Sequence, residues 1–280
     1  MKKIIFLIII SFLAIAFYRY FLKSSITSNN SIEEEYYYND ITYFEEVDMS
    51  NTDNSTKPLN KYEYILENID TNPESLTVLI NKEFSLPSDY VPKNLTVPAI
   101  TFSFRGYHEK NLMRQDAAQA LEKLIKNASS EGLRINGVSG YRSYKRQLNI
   151  YNKNIIKYGL DYTNKYSAKA GYSEHQSGLA MDVSTNSIKN QLDVSFASTK
   201  EGKWLAENCW KFGYIIRYPE GKSQITGYAY EPWHIRYVGL ELAKYLTENN
   251  LTLEEYYGYV PSENLMEEEN YGVMTDVSEE

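Results

Sequence analysis

Apolar residues recur at three-to-four spacing over residues 111–131, at Leu112, Ala117, Ala120, Leu121, Leu124, Ile125 and Ala128. That period predicts an amphipathic helix, closed by Gly132. Further helical stretches are predicted over 144–158, ending at Gly159, over 201–212, ending before Gly213, and over 238–248. Short runs at 76–80, 134–140, 179–184, 214–217 and 225–230 read as strands, with Pro87, Pro92 and Pro98 punctuating an extended stretch after the first. Strands and helices mix without regular strand-helix-strand alternation. The expected class is therefore α+β, a small antiparallel sheet flanked by helices.

The flanks follow a different pattern. Met1-Lys2-Lys3 precedes an apolar run from Ile4 to Phe17, and apolar character resumes through Leu22. Residues 1–23 are read as a signal peptide or membrane anchor, with the anchor favoured because 4–22 approach the length that spans a bilayer. Lysines at the terminus then place the rest of the chain outside the cytoplasm; cleavage after Ala14-Ile15-Ala16 would instead release it. No cysteine follows the apolar run, which excludes a lipoprotein anchor. Residues 24–57 are polar, acidic and without periodicity, and are expected to be a disordered spacer, as is the acidic tail 262–280. The folded part is expected at 58–261.

Charge supports this division. The chain carries −8 overall; 1–23 carries +4, and 24–57 and 262–280 carry −7 each, which leaves +2 for 58–261. No concentrated basic face is present, so nucleic-acid binding is not expected. The single cysteine, Cys209, excludes an internal disulfide and a cysteine-based zinc ribbon. It shares a helical face with Leu205 and reads as a buried small hydrophobe.

Any metal must therefore be held by histidine and carboxylate, and the chain has three histidines. His175 lies in Ser173-Glu174-His175-Gln176-Ser177-Gly178, which passes into a strand where Leu179, Met181 and Val183 share one face and Ala180, Asp182 and Ser184 the other. An aspartate inside an apolar strand needs a partner to offset desolvation, and a cation is a natural one. His234 closes Glu231-Pro232-Trp233-His234. Two histidines and one carboxylate, with a position left for water, are a ligand set for catalytic zinc. Glu231 stands three residues from His234, with Pro232 limiting the backbone between them, and can serve as the base. Arg142, directly after a predicted strand, can face a developing oxyanion. His108, beside Tyr107, reads as a surface histidine.

Together, Ser139-Gly140-Tyr141-Arg142-Ser143-Tyr144 with Gln147, Gly171-Tyr172-Ser173-Glu174-His175 through Asp182, and Glu231-Pro232-Trp233-His234 resemble the VanY-type D-alanyl-D-alanine carboxypeptidases. Trp204-Leu205, Phe212 through Pro219, and Val78-Leu79-Ile80-Asn81-Lys82 extend the likeness, which covers roughly residues 76–257. The resemblance implies a small α+β zinc fold that removes the C-terminal D-alanine from peptidoglycan stem peptides. It implies His175, Asp182 and His234 as zinc ligands, Glu231 as base, Arg142 as the oxyanion-stabilising arginine, and Ser173 and Gln147 as substrate contacts. The motifs do not separate cleavage of a D,D bond from cleavage of an L,D bond. Two other readings are a zinc endopeptidase of the same peptides, which would ignore the terminal carboxylate, and a non-catalytic wall-binding module, for which Glu231 has no use.

Overall fold

Residues 68–259 and Pro261 are described in the computed structural model, so the expectations for 1–23, 24–57, 58–67 and 262–280 lie outside the described residues. No helix among the described residues is long and apolar enough to cross a membrane.

In chain order the elements are β1 (Leu95–Thr96), β2 (Met113–Arg114), α1 (Gln115–Ser130), β3 (Asn136–Ser139), α2 (Tyr144–Tyr158) and α3 (Leu160–Tyr166). There follow β4 (Ala180–Ser184), α4 (Lys200–Asn208), β5 (Tyr214–Ile216), α5 (Ser223–Thr226), β6 (His234–Tyr237), α6 (Leu240–Glu248) and α7 (Leu253–Tyr257). Strands β1 and β2 form a small ribbon, and the main sheet has the order β3-β4-β6-β5 with every pair antiparallel.

Alternation along the strands divides that sheet into two chemically different faces. Met181, Val183, Ile235 and Tyr214 join Leu121, Leu124 and Ala128 of α1 and Leu205 of α4 in the main core. The other face carries Ala180, Asp182, His234 and Arg236, with Asp182 opposite His234 and Ala180 opposite Arg236. The polar face is buried as completely as the apolar one, with Asp182 at 4% exposure and Arg236 at 0%. A second core forms where Leu79, Ile215, Val238, Ala243, Leu246 and Leu253 pack together.

The helix over 144–158 lies where its pattern places it, capped by Ser143, whose side chain accepts from Arg146 N. Only Gln147 and Tyr151 of α2 are buried, so this helix is a thin cover with one inward row. The helix predicted from 111 begins at Gln115, because Glu109–Asn111 is a short 3-10 turn and Met113–Arg114 pair with β1. The stretch 201–212 divides into α4 and a 3-10 turn at Cys209–Phe212.

Two predicted strands are absent. Residues 76–80 are irregular, half-buried at 76–77 and buried at 78–80, and carbonyls there are satisfied by side chains instead of a ladder: Arg236 Nη2 donates to Leu76 O and Val78 O at 3.1 and 2.9 Å. Residues 225–230 fold as the end of the one-turn α5 followed by a turn at Gly227. Strands β1, β2 and β6 lie outside the predicted ones: β1 falls in the proline-punctuated stretch, β2 within the stretch expected to be helical from 111, and β6, His-Ile-Arg-Tyr, is a four-residue run too short and polar to signal a buried strand.

Candidate metal centre and active site

Three local structures bring the site together. His175 sits in a 3-10 turn, Glu174–Ser177, in which all four residues are buried. That turn ends at Gly178 with φ 70°, where a Cβ would lie 3.2 Å from Arg114 N, so both the conformation and the space call for glycine. The chain then enters β4 and delivers Asp182 to the middle of the sheet, with Ser139 of β3 on one side and His234 of β6 on the other. Glu231-Pro232-Trp233-His234 is a tight turn closed by His234 N donating to Glu231 O at 3.1 Å. Proline suits its second position.

One ligand atom each from His175, Asp182 and His234 lie within 4.8 Å of one another, and all three residues are buried. The two imidazoles are nearly perpendicular, with centroids 5.0 Å apart. His175 Nδ1 lies 2.8 Å from Gly140 O, which can only accept, so Nδ1 holds the proton. Its Nε2 is thereby left toward Asp182 Oδ2 at 3.3 Å. His234 Nδ1 is 2.8 Å from Asp182 Oδ1, while Nε2 is 3.3 Å from Glu174 Oε2. Each histidine thus has one nitrogen tied to a protein acceptor and the other turned toward the shared carboxylate. This is the arrangement by which metal-ligating histidines are oriented, and the donor set fits a divalent cation.

Charge follows from these contacts. Burial opposes ionisation of Asp182, but His175 and His234 beside it hold its carboxyl well below the usual carboxylate range. Burial lowers the His175 imidazole, and Arg142 adds to that effect, leaving a neutral ligand. Burial also works against the charge on His234, yet the hydrogen bonds to Asp182 and Glu174 raise it to about 9. A proton and a cation are alternatives at its Nδ1. Burial raises the Glu231 carboxyl to about 7, with Asp182 and Glu174 adding to the rise and His234 and Arg142 opposing it.

Arg142 follows β3, as its position in the sequence implies, and its Nη1 donates to Gln147 Oε1 at 2.8 Å and its Nη2 to Ser139 Oγ at 3.3 Å. Its backbone N donates to His175 O at 3.1 Å, tying the arginine to the histidine turn. Gln147 is buried and its Nε2 donates to Ala168 O at 2.6 Å. Ser173 is buried at the residue preceding the His175 turn. All seven residues singled out from the sequence therefore fall in one region. His108 is exposed, with Nε2 near Arg105 O at 3.3 Å, and lies outside it.

Behind His234 stands a set of charges that pattern reading omitted. Glu174 Oε1 accepts from Arg217 Nε at 2.8 Å and Arg236 Nη1 at 2.6 Å. Arg217 also donates to both oxygens of Glu254, at 2.9 and 2.7 Å, and Asn81 Nδ2 donates to Glu254 at 3.3 Å. Glu174, Arg217, Glu254 and Arg236 each have side chains with 0% exposure. Two positive and two negative groups balance, which is how charges survive complete burial. Burial opposes ionisation of Glu174, but Arg236 and Arg217 hold it well below its ordinary value. The sequence signal was an arginine interrupting each of two apolar strands, Ile215-Ile216-Arg217 and Ile235-Arg236. Tyr218 completes the wall, stacked on His234 at 5.0 Å and 26°.

Comparison with known proteins agrees with this geometry. The sequence model of the VanY family, described as D-alanyl-D-alanine carboxypeptidase, matches residues 110–240. A Bacillus subtilis protein named as the carboxypeptidase YodJ is 44% identical over 214 residues, covering 74% of this chain and 78% of that one. Among solved structures, the LdcB LD-carboxypeptidase is 45% identical with a TM-score of 0.65, over 68% of this chain and 89% of that one. The D,D-pentapeptidase VanY, solved with Zn(II), is 30% identical with a TM-score of 0.54, over 66% of this chain and 99% of that one.

Proposed function

The chain belongs to the VanY family of D-alanyl-D-alanine carboxypeptidases, and from that premise we propose that it is a zinc enzyme which removes the C-terminal D-alanine from peptidoglycan stem peptides. The observation that carries the reading is the convergence of His175, Asp182 and His234 with the second nitrogen of each histidine already engaged. Zinc held by these residues supplies a Lewis acid that polarises the scissile carbonyl and acidifies a water molecule.

The chain's own groups account for the remaining chemistry. Glu231, a buried carboxylate beside the cation site, accepts a proton from the attacking water and passes it to the departing amine of D-alanine. Arg142, held by Gln147 and Ser139, presents its guanidinium to the negative charge that develops on the carbonyl oxygen. Gln147 and Ser173 position the peptide. The greater likeness to an LD-carboxypeptidase, 45% against 30% for the D,D-enzyme, supports the tetrapeptide stem as the preferred substrate. The lysines at 2 and 3 and the apolar run from Ile4 to Phe17, resuming past Arg19 to Leu22, support a membrane anchor with the catalytic domain outside the cytoplasm.

Mass spectrometry of defined tetrapeptide and pentapeptide stems incubated with the full chain tests the reaction. The expected product lacks one alanine, forms faster from the tetrapeptide, and disappears when a chelator removes the metal. Cleavage within the stem, or equal cleavage of a substrate with an amidated C-terminus, would establish an endopeptidase instead. Fractionation of cells expressing the full chain tests the anchor, with activity expected in the membrane fraction.

A further inference from the structure

A cleft outside the metal centre is lined by Lys82, Asn164, Ser167, Lys169, Tyr172 and Tyr228. It is one side chain away from the reacting groups by two routes. On one, Ala168, which also lines the cleft, accepts through its carbonyl from Gln147, and Gln147 in turn accepts from Arg142. On the other, Tyr228 packs on Tyr218 at 4.7 Å, and Tyr218 stacks on His234. At about 3.3 Å per extended residue, a peptide whose last bond lies at the metal centre reaches the cleft within two or three residues.

Its chemistry is that of an anion site. Two ammonium groups line the cleft and no acidic side chain does. Lys82 is held in place: its stem runs along Gly227, where a Cβ would come within 3.1 Å of Lys82 Cδ, and its Nζ lies 5.4 Å from the Tyr228 ring centroid. Asn164 Oδ1 accepts from the Tyr151 hydroxyl, so what Asn164 has left to offer is its amide N–H groups. Ser167 adds a hydroxyl donor. Donors and positive charge, with tyrosine rings as walls, suit a carboxylate on a peptide.

We propose that this cleft binds an internal carboxylate of the stem peptide, upstream of the bond that is cut. The proposal rests on the carboxypeptidase reading above and adds a second acidic determinant to the terminal one. Stem peptides carry such a group in two places: the α-carboxylate of the γ-linked glutamate and, where the third residue is diaminopimelate instead of lysine, the carboxylate on its side chain. Both have the chemistry the cleft recognises, and amidation neutralises either without changing its shape much.

The test uses the full, zinc-loaded chain and synthetic stems in two arms, one with the glutamate carboxylate free or amidated, the other with the diaminopimelate carboxylate free or amidated. In one arm, amidation is expected to lower kcat/KM by roughly 10-fold, the discrimination a charge-assisted hydrogen bond supplies. Lys169→Ala and Lys82→Met are each expected to bring that ratio toward one. Equal kcat/KM for the free and amidated members of both pairs overturns the inference and leaves the carboxypeptidase standing, as does a ratio that neither variant reduces. Release of D-alanine from none of the peptides overturns the carboxypeptidase reading and this inference with it.

Discussion

Asp182 and His234 stand directly opposite each other on adjacent antiparallel strands, and His234 Nδ1 lies 2.8 Å from Asp182 Oδ1. Two of the three residues able to hold a cation are thereby fixed by the sheet's own register. A one-residue slip of β4 against β6 would turn Asp182 into the apolar core, so the hydrophobic alternation that sets the register also sets the metal centre. The third, His175, is fixed to the residue that follows β3 through the Gly140 carbonyl.

Asp182→Asn preserves the shape of the side chain and removes the charge that faces both imidazoles. Zinc affinity, measured by competition with a chromophoric chelator, is expected to fall on the order of 100-fold or more, since loss of a direct ligand should exceed the loss seen for outer partners. Affinity within a few-fold of the native chain would remove Asp182 from the ligand set.

Glu231→Gln separates chemistry from metal binding. Glutamine cannot take a proton, and Glu231 is not among the residues that converge on the cation site. The expected result is a zinc content equal to that of the native chain with kcat lowered by about 10²–10⁴, the range general base catalysis contributes. Full turnover with zinc bound would show that another group carries the proton.

Cys209 tests the opposite property, inertness. Burial pushes its thiol up from an ordinary 9.0 to about 12. A raised value means that the folded chain holds the proton more tightly than the unfolded one. This contribution to stability is intact below about pH 9 and is lost as pH rises toward 12. A colourless disulfide reagent that releases a coloured thiolate is expected to titrate no thiol in the native chain at pH 8 and one after denaturation. Fast labelling of the native chain would contradict a buried, protonated Cys209.

What could be read in advance was whatever local pattern controls. The helix over 144–158 and the strand carrying Asp182 are legible because the glycines that bound them, Gly159 after the helix and Gly178 before the strand, act within a few positions. Residues 76–80 misled because an apolar run signals burial, and whether buried carbonyls meet a strand or an arginine depends on Arg236, about 160 positions away. Separation in sequence also hid Glu254, whose partners Arg217 and Asn81 lie 37 and 173 positions away. His175 and His234 are visible because the chain has only three histidines, and Asp182 because it interrupts an apolar strand. The charges that hold them are not, because nothing local marks Glu174 or Glu254 and only the fold brings these four together.

That buried network makes the last prediction, which separates support of the metal from support of the fold. Glu174→Gln leaves Arg217 and Arg236 short of a counter-charge in a site with no exposure, and breaking a buried pair in this way costs about 3–5 kcal/mol. It also removes the carboxylate that accepts from His234 Nε2, so zinc affinity should fall by about 10- to 100-fold. Glu254→Gln breaks the same network at its far end, where Arg217 is held but His234 is not touched. Urea unfolding of both metal-free variants should show comparable losses of stability, while chelator competition should show weakened zinc binding in Glu174→Gln alone. Equal zinc affinity in the two variants would mean that Glu174 serves only to neutralise the arginines, and that His234 keeps its orientation through Asp182 and the stacked Tyr218 ring.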